Sequence, residues 1–335
     1  MPTRIAVDAM GGDHAPDVVV EGVVEAIRTK PGDLFILLAG PEDRLNPLLE
    51  GIDPQIRKFI QVVDAPDIIG MDESPASAIK TKQRSSIHIG MGMCKAGKAD
   101  AFISVGNTGA VMAGALFILG RLPGVSRPSV VGYFPTTKGT ALLLDAGTNV
   151  DCKPEHLLQF ARMGAVYAER ILGATNVSVG LLNVREEPGK GDEMSKATYD
   201  LLKSAENINF IGNIEGRDIM EHAADVVVCD GFVGNILLKY GESVASVLPR
   251  LIGAEMHRLG MNEAEQMIVA KALKGVKARF DYKEFGGAPL LGVNGTVFIG
   301  HGSSNGYAIK NLTLAADKMV RRSVSQTIAS VMETE

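Results

Sequence analysis

Seven loops rich in glycine, several carrying asparagine, recur through this chain, and the residue types in them suit the binding of an anion. DAMGGDHAP (Asp8–Pro16) and VGNTGA (Val105–Ala110) come early, DAGTN (Asp145–Asn149) and REEPGKGDEMSK (Arg185–Lys196) in the middle. DGFVGN (Asp230–Asn235), GGAPLLGVNG (Gly286–Gly295) and GHGSSNG (Gly300–Gly306) follow. Small residues let backbone N–H groups face an anion, and a helix starting there adds about half a positive charge. Each loop alone reads more readily as a turn and a cap, because Gly and Asn are the default residues there. Asn107, Asn149, Asn183, Asn213 and Asn235 all stand at expected strand ends, most with glycine beside them. Together they point to a shared anion or phosphate site.

The leading cation is Lys190, flanked by glycines in a polar loop, where an ammonium can meet developing negative charge. Lys196 and Arg185 are lesser candidates, and a solvated surface lysine is the competing reading. No activated Ser or Cys stands out, and Cys229 inside VVVCD reads as a small buried apolar residue. The chemistry left is direct displacement between two bound substrates, one of them a phosphate. GxGxxG, GxSxG and HExxH are absent. The stretch Gly92–Lys98 mimics a phosphate loop, but Ala99 stands where Ser or Thr is needed. The six histidines are dispersed, so no metal is expected, and Asp8, Asp13 and His14 read as capping and turn residues.

Positioning such loops takes strands. AFISV, ALLLD and VVVCD are continuous apolar runs, as strands buried on both faces are. Expected strands are 3–8, 34–39, 60–64, 101–105, 130–134, 140–145, 177–183, 209–212, 226–230, 288–293 and 296–300. Amphipathic stretches between them predict helices over 17–29, 85–96, 108–119, 154–172, 193–205, 234–252 and 305–332. The alternation predicts a three-layer α/β/α sandwich, doubly wound on a mostly parallel sheet, as a single domain over 1–335. From 241 to 285 the rhythm stops, which predicts a helical excursion.

Composition narrows the class. A hydrophobic share of 46% against 22% charged residues excludes wholesale disorder, and a net charge of −5 argues against a nucleic-acid binder. Three scattered cysteines exclude a disulfide scaffold. No apolar run is long enough for a signal peptide or a membrane span, so a soluble cytoplasmic protein is expected.

IAVDAMGGDHAP, SVGNTGA, LLDAGTN, EEPGKGDEMSK, ADVVVCDGFVGN and GHGSS, in this order from residue 4 to about 330, resemble the bacterial phosphate acyltransferase family. Pro188-Gly189 before Lys190 is a local departure from a more polar pair. The resemblance implies a fold similar to isopropylmalate dehydrogenases and phosphotransacetylases. It implies transfer of a fatty acyl group from acyl-carrier protein to inorganic phosphate, giving acyl phosphate for phospholipid synthesis. It also implies no cofactor, a homodimer, and peripheral attachment to the membrane where a glycerol-3-phosphate acyltransferase consumes the product.

With that chemistry, phosphate is assigned to Gly106, Asn107, Thr108, Gly147 and Thr148. Lys190 and Asn235 are assigned to the acyl and leaving-group side. Asp8, Gly11, Gly12, His14, Asp230 and Gly231 are further substrate-binding candidates. Between Arg250 and Lys283 seven cations face four acids, and Lys271, Lys274 and Lys277 recur every third residue. Leu251, Met256 and Leu259 belong to an apolar stripe beside them. Two readings stay open: a core-packed pair with a solvated basic face, or a projection toward an acidic carrier protein or anionic lipid. The alternatives for the whole chain are a phosphotransacetylase using a small acyl-CoA and a phosphate-binding regulatory protein without turnover.

Overall fold

The apolar runs become strands close to their expected bounds, as segments buried on both faces of a helix-covered sheet do. A computed structural model describes residues 1–333, in two compact units. The first holds Met1–Val131, Arg162–Thr175 and the chain from Phe285 on, and the second holds Gly132–Ala161 and Asn176–Glu284. The α/β reading holds, but the chain builds two sheets, not one.

In the first unit β1 (Thr3–Asp8), β2 (Leu34–Gly40), β3 (Ile60–Asp64), β4 (Ala101–Ser104) and β5 (Ser129–Val130) come before the second unit in the chain. Their sheet has the order β3-β2-β1-β4-β12-β11-β5, completed by β11 (Ala288–Leu291) and β12 (Thr296–Ile299). β3, β2, β1, β4 and β12 run parallel, and β11 is antiparallel to both its neighbours. Ala6, Leu37, Phe102, Val297 and Ile299 pack with Ile79, Ile87, Met91 and Val111 from the helices Pro75–Thr81, Ser86–Lys95 and Thr108–Gly114. The order reverses between β1 and β4, which is where open parallel sheets bind ligands beyond the carboxyl ends of their strands.

The second unit orders β6-β7-β10-β8-β9, from β6 (Gly132–Thr136), β7 (Gly139–Leu144), β8 (Ser178–Leu182), β9 (Asn209–Ile214) and β10 (Val226–Val228). Only β6 is antiparallel, so the carboxyl ends of β7, β10, β8 and β9 share one edge. Phe134, Leu143, Ile214, Val227 and Cys229 form a core there.

Three expectations are corrected. The run 130–134 is two strands in two sheets, because Val131 N bonds Pro289 O while Gly132 pairs with Leu143. The helix expected over 305–332 is two, Gly306–Arg321 and Val324–Glu333, parted at Ser323 with φ of 52°. The helix expected from 234 starts at Gly231 and runs unbroken to Arg258, through Gly241, Pro249 and Gly253. The helix Glu263–Arg279 follows, opened by a capping box between Asn262 and Glu265. None of its residues is buried, and no described helix is long and apolar enough to cross a membrane.

Candidate functional site

In the first unit the site is built on Asp8, the last residue of β1 and fully buried. Its carboxylate accepts hydrogen bonds from Ser86 Oγ (2.5 Å), Ser104 Oγ (2.6 Å) and Met10 N (3.1 Å). Burial pushes its pKa up, against the lowering by Ser104 and Ser86. Ser104 Oγ also accepts from Gly106 N at 3.0 Å, so Asp8 shapes the SVGNTGA loop through one hydroxyl. A Cβ on Gly11 would lie 2.6 Å from Gly106 N, which is why the first loop needs glycine there. The closing loop joins them, as Asp13 N donates to Gly302 O at 2.8 Å.

The structure brings Asp8, Gly11, Gly12, Gly106, Asn107 and Thr108 into this loop cluster, but it engages their polar groups unevenly. Asn107 Oδ1 caps the following helix by accepting from Ala110 N. Its Nδ2 lies 3.1 Å from each of the carbonyls of Gly70, Met71 and Glu73. The amide expected to meet phosphate is therefore committed to holding the 70–73 segment. Thr108 and His14 are exposed.

In the second unit Asp145 plays the same part at the end of β7. Gly147 N (3.1 Å) and Thr148 N (3.0 Å) donate to Oδ1, while Asn149 N (2.7 Å) and Asn149 Nδ2 (2.5 Å) donate to Oδ2. Burial pushes the Asp145 pKa up, against those hydrogen bonds. The backbone donors of Gly147 and Thr148, expected to face phosphate, are thus satisfied by the chain's own carboxylate. Sequence reasoning named Asp8 only as a capping or substrate-binding residue and missed Asp145, although each directly follows or ends an apolar run just before a glycine loop.

The helix Gly231–Arg258 starts against this nest. Asp230 caps it, accepting from Val233 N at 2.8 Å, and Gly231 N donates to Asn149 O at 2.7 Å. A Cβ on Gly234 would stand 1.8 Å from the Asp145 carbonyl oxygen, so only glycine allows this approach. Asn235 lies beside Gly147, is exposed, and its amide makes no hydrogen bond among the described residues.

Lys190 sits in the loop after β8, also exposed, its ammonium without a partner among the described residues. Beside that loop a cavity of about 570 Å³ opens. Leu157, Leu181 and Cys229 are its most buried lining residues, and Ile236 and Tyr240 its most exposed apolar ones apart from Val184. Its polar groups are few: Asn183, Asp192, Ser195 and Asp230. Burial pushes the Cys229 thiol well above its usual range, which keeps it neutral in the wall.

The basic stripe is exposed: Lys271, Lys274 and Lys277 all face solvent, with Leu251 and Leu259 60% and 62% exposed. Met256 is a correction, since it is 9% exposed and packs inward.

Both sheets and their carboxyl-edge loops define an α/β fold of the phosphotransacylase kind. A phosphotransacetylase from Streptococcus pyogenes superimposes with a TM-score of 0.62 over 96% of this chain and 94% of its own, at 17% identity. The chain belongs to the family described as "Fatty acid synthesis protein", whose model matches residues 3–327. It is 50% identical over 332 residues to a phosphate acyltransferase of Salinibacter ruber, covering 99% of this chain and 98% of that one. A phosphate acyltransferase of Chlorobaculum parvum is 46% identical over 336 residues, covering 98% of each. The chain is an enzyme, a transferase of acyl groups.

Proposed function

We propose that this enzyme moves a fatty acyl group from acyl-carrier protein to inorganic phosphate, and the cavity beside the Lys190 loop is the observation that carries this reading. A volume of about 570 Å³ lined mainly by aliphatic side chains suits a long acyl chain better than an acetyl group. A phosphate oxygen attacks the thioester carbonyl carbon, the C–S bond breaks, and the carrier thiol leaves as a thiolate. A thiol pKa near ~8.5 makes that a good leaving group, so one cation and a few donors suffice. No covalent enzyme intermediate is needed.

Lys190 supplies the cation and Asn235 an amide donor for the carbonyl oxyanion. Thr108 keeps its assignment to phosphate, whereas Gly106, Asn107, Gly147 and Thr148 act first by shaping loops. The exposed cations Lys271, Lys274 and Lys277 suit an acidic carrier protein, and Leu251 and Leu259 suit peripheral contact with an anionic membrane. A homodimer and delivery of the product to a membrane glycerol-3-phosphate acyltransferase complete the proposal. Mixing the protein with acyl-carrier thioester and phosphate, then trapping with hydroxylamine, tests it. Acyl hydroxamate formation is expected; phosphate binding without product would make the chain a binding protein, and acetyl-CoA as the better donor would make it a phosphotransacetylase.

A further inference from the structure

The loop that carries Lys190 is held by two amides from neighbouring strands. Asn213, in β9 and 6% exposed, donates Nδ2 to Glu187 O at 3.1 Å. Asn183, directly after β8, donates Nδ2 to Lys190 O at 3.1 Å, and its own N–H bonds Ile214 O across to β9. Lys190 N closes the turn on Glu187 O at 3.1 Å, with Pro188 supplying the fixed φ that the second position of such a turn favours. Both ends of the turn Glu187–Lys190 are therefore fastened to the sheet. Gly191 follows at φ 97°, where a Cβ would lie 2.5 Å from Asn183 Oδ1. Asp192 then caps the helix Glu193–Ser204 by accepting from Ser195 N at 2.7 Å.

The lysine side chain itself is exposed and unpartnered among the described residues, so nothing but its backbone fixes where the ammonium starts. Asn213 Oδ1 is buried and makes no hydrogen bond among the described residues, so the side chain's one described hydrogen bond is the one to the turn. We infer that Asn213 and Asn183 are positioning residues, which set the Lys190 ammonium by clamping the turn that bears it. This rests on the catalytic assignment of Lys190 proposed above. Asn213 is the cleaner of the two to test, because Asn183 also lines the cavity and Asn213 does not.

The test is a double-mutant cycle on the full chain, read by hydroxamate trapping with acyl-carrier thioester and phosphate. Asn213→Leu is expected to lower kcat about tenfold with both KM values within about twofold, and to lose that effect in a Lys190→Ala background. Slowing of equal size in both backgrounds means a general structural role and overturns the inference. Unchanged kcat in Asn213→Leu beside a slow Lys190→Ala overturns it while leaving the proposed function standing. Undiminished kcat in Lys190→Ala overturns the catalytic assignment and the inference with it. Should Asn213→Leu fail to fold, Asn183→Ala carries the same cycle, read on kcat alone because Asn183 lines the cavity.

Discussion

The hydroxyl of Ser104 donates to Asp8 across 2.6 Å, joining the carboxyl ends of two neighbouring parallel strands at the point where their order reverses. The contact shapes the SVGNTGA loop and works against the burial that governs the ionisation of this acid. Burial raises the Asp8 pKa above its ordinary 3.8, so between 3.8 and the folded value the folded chain binds more protons than the unfolded one. The stability this group contributes is then fullest below 3.8 and is lost as pH rises through the folded value. The stability gap between wild type and Asp8→Asn is therefore expected to narrow as pH rises across that window, measured by urea unfolding at stepped pH. A gap that widens would show a carboxylate held as the anion.

Close approach of the helix Gly231–Arg258 to Asp145 makes a second prediction. Gly234→Ala forces a Cβ against the Asp145 carbonyl and should cost at least ~2 kcal/mol, as overpacking does. Gly253→Ala, in the same helix with nothing within 4 Å, should stabilise by up to ~1 kcal/mol through helix propensity. Thermal unfolding of the pair checks this; equal effects would mean the helix start is free to shift.

How far the sequence could be read depends on how local the cause is. VVVCD and ALLLD announce buried parallel strands because burial on both faces is written into consecutive residues. The break at Ser323 carries no glycine or proline, so a left-handed serine there could not be foreseen. The change of sheet at Val131 hides inside a continuous apolar run. Asn107, Asn149, Asn183 and Asn213 were legible as strand-end residues with something to hold. What they hold was not: Asn107 reaches carbonyls 34 to 37 residues away and Asn213 one 26 away. Glycine loops looked like anion sites because their N–H groups do bind a carboxylate, but it is the chain's own.

The exposed basic helix predicts charge-dependent docking. Lys271→Glu combined with Lys274→Glu should raise KM for carrier-bound donor severalfold at low salt, and the difference should fade as salt rises past a Debye length of ~10 Å near 0.1 M. A KM indifferent to both would move the carrier protein elsewhere.

Leu251→Asp, at a residue 60% exposed, should release the protein from vesicles containing anionic lipid while kcat in solution stays at the wild-type level. Met256→Asp is the contrasting control, since its buried side chain predicts loss of stability instead. Flotation assays and thermal unfolding separate the two. Vesicle binding unchanged by Leu251→Asp would show that this face serves something other than a membrane.

The central claim, a long acyl chain seated in the cavity beside Lys190, is tested most directly by a donor chain-length series with acyl phosphate trapped as hydroxamate. Each added methylene buried in the cavity is worth about 0.8 kcal/mol, so KM should fall about fourfold per methylene until the cavity is full. Leu181→Phe, at a buried lining residue, should move that plateau to shorter chains. A KM flat from acetyl to long acyl donors, or a plateau indifferent to Leu181→Phe, would contradict the account.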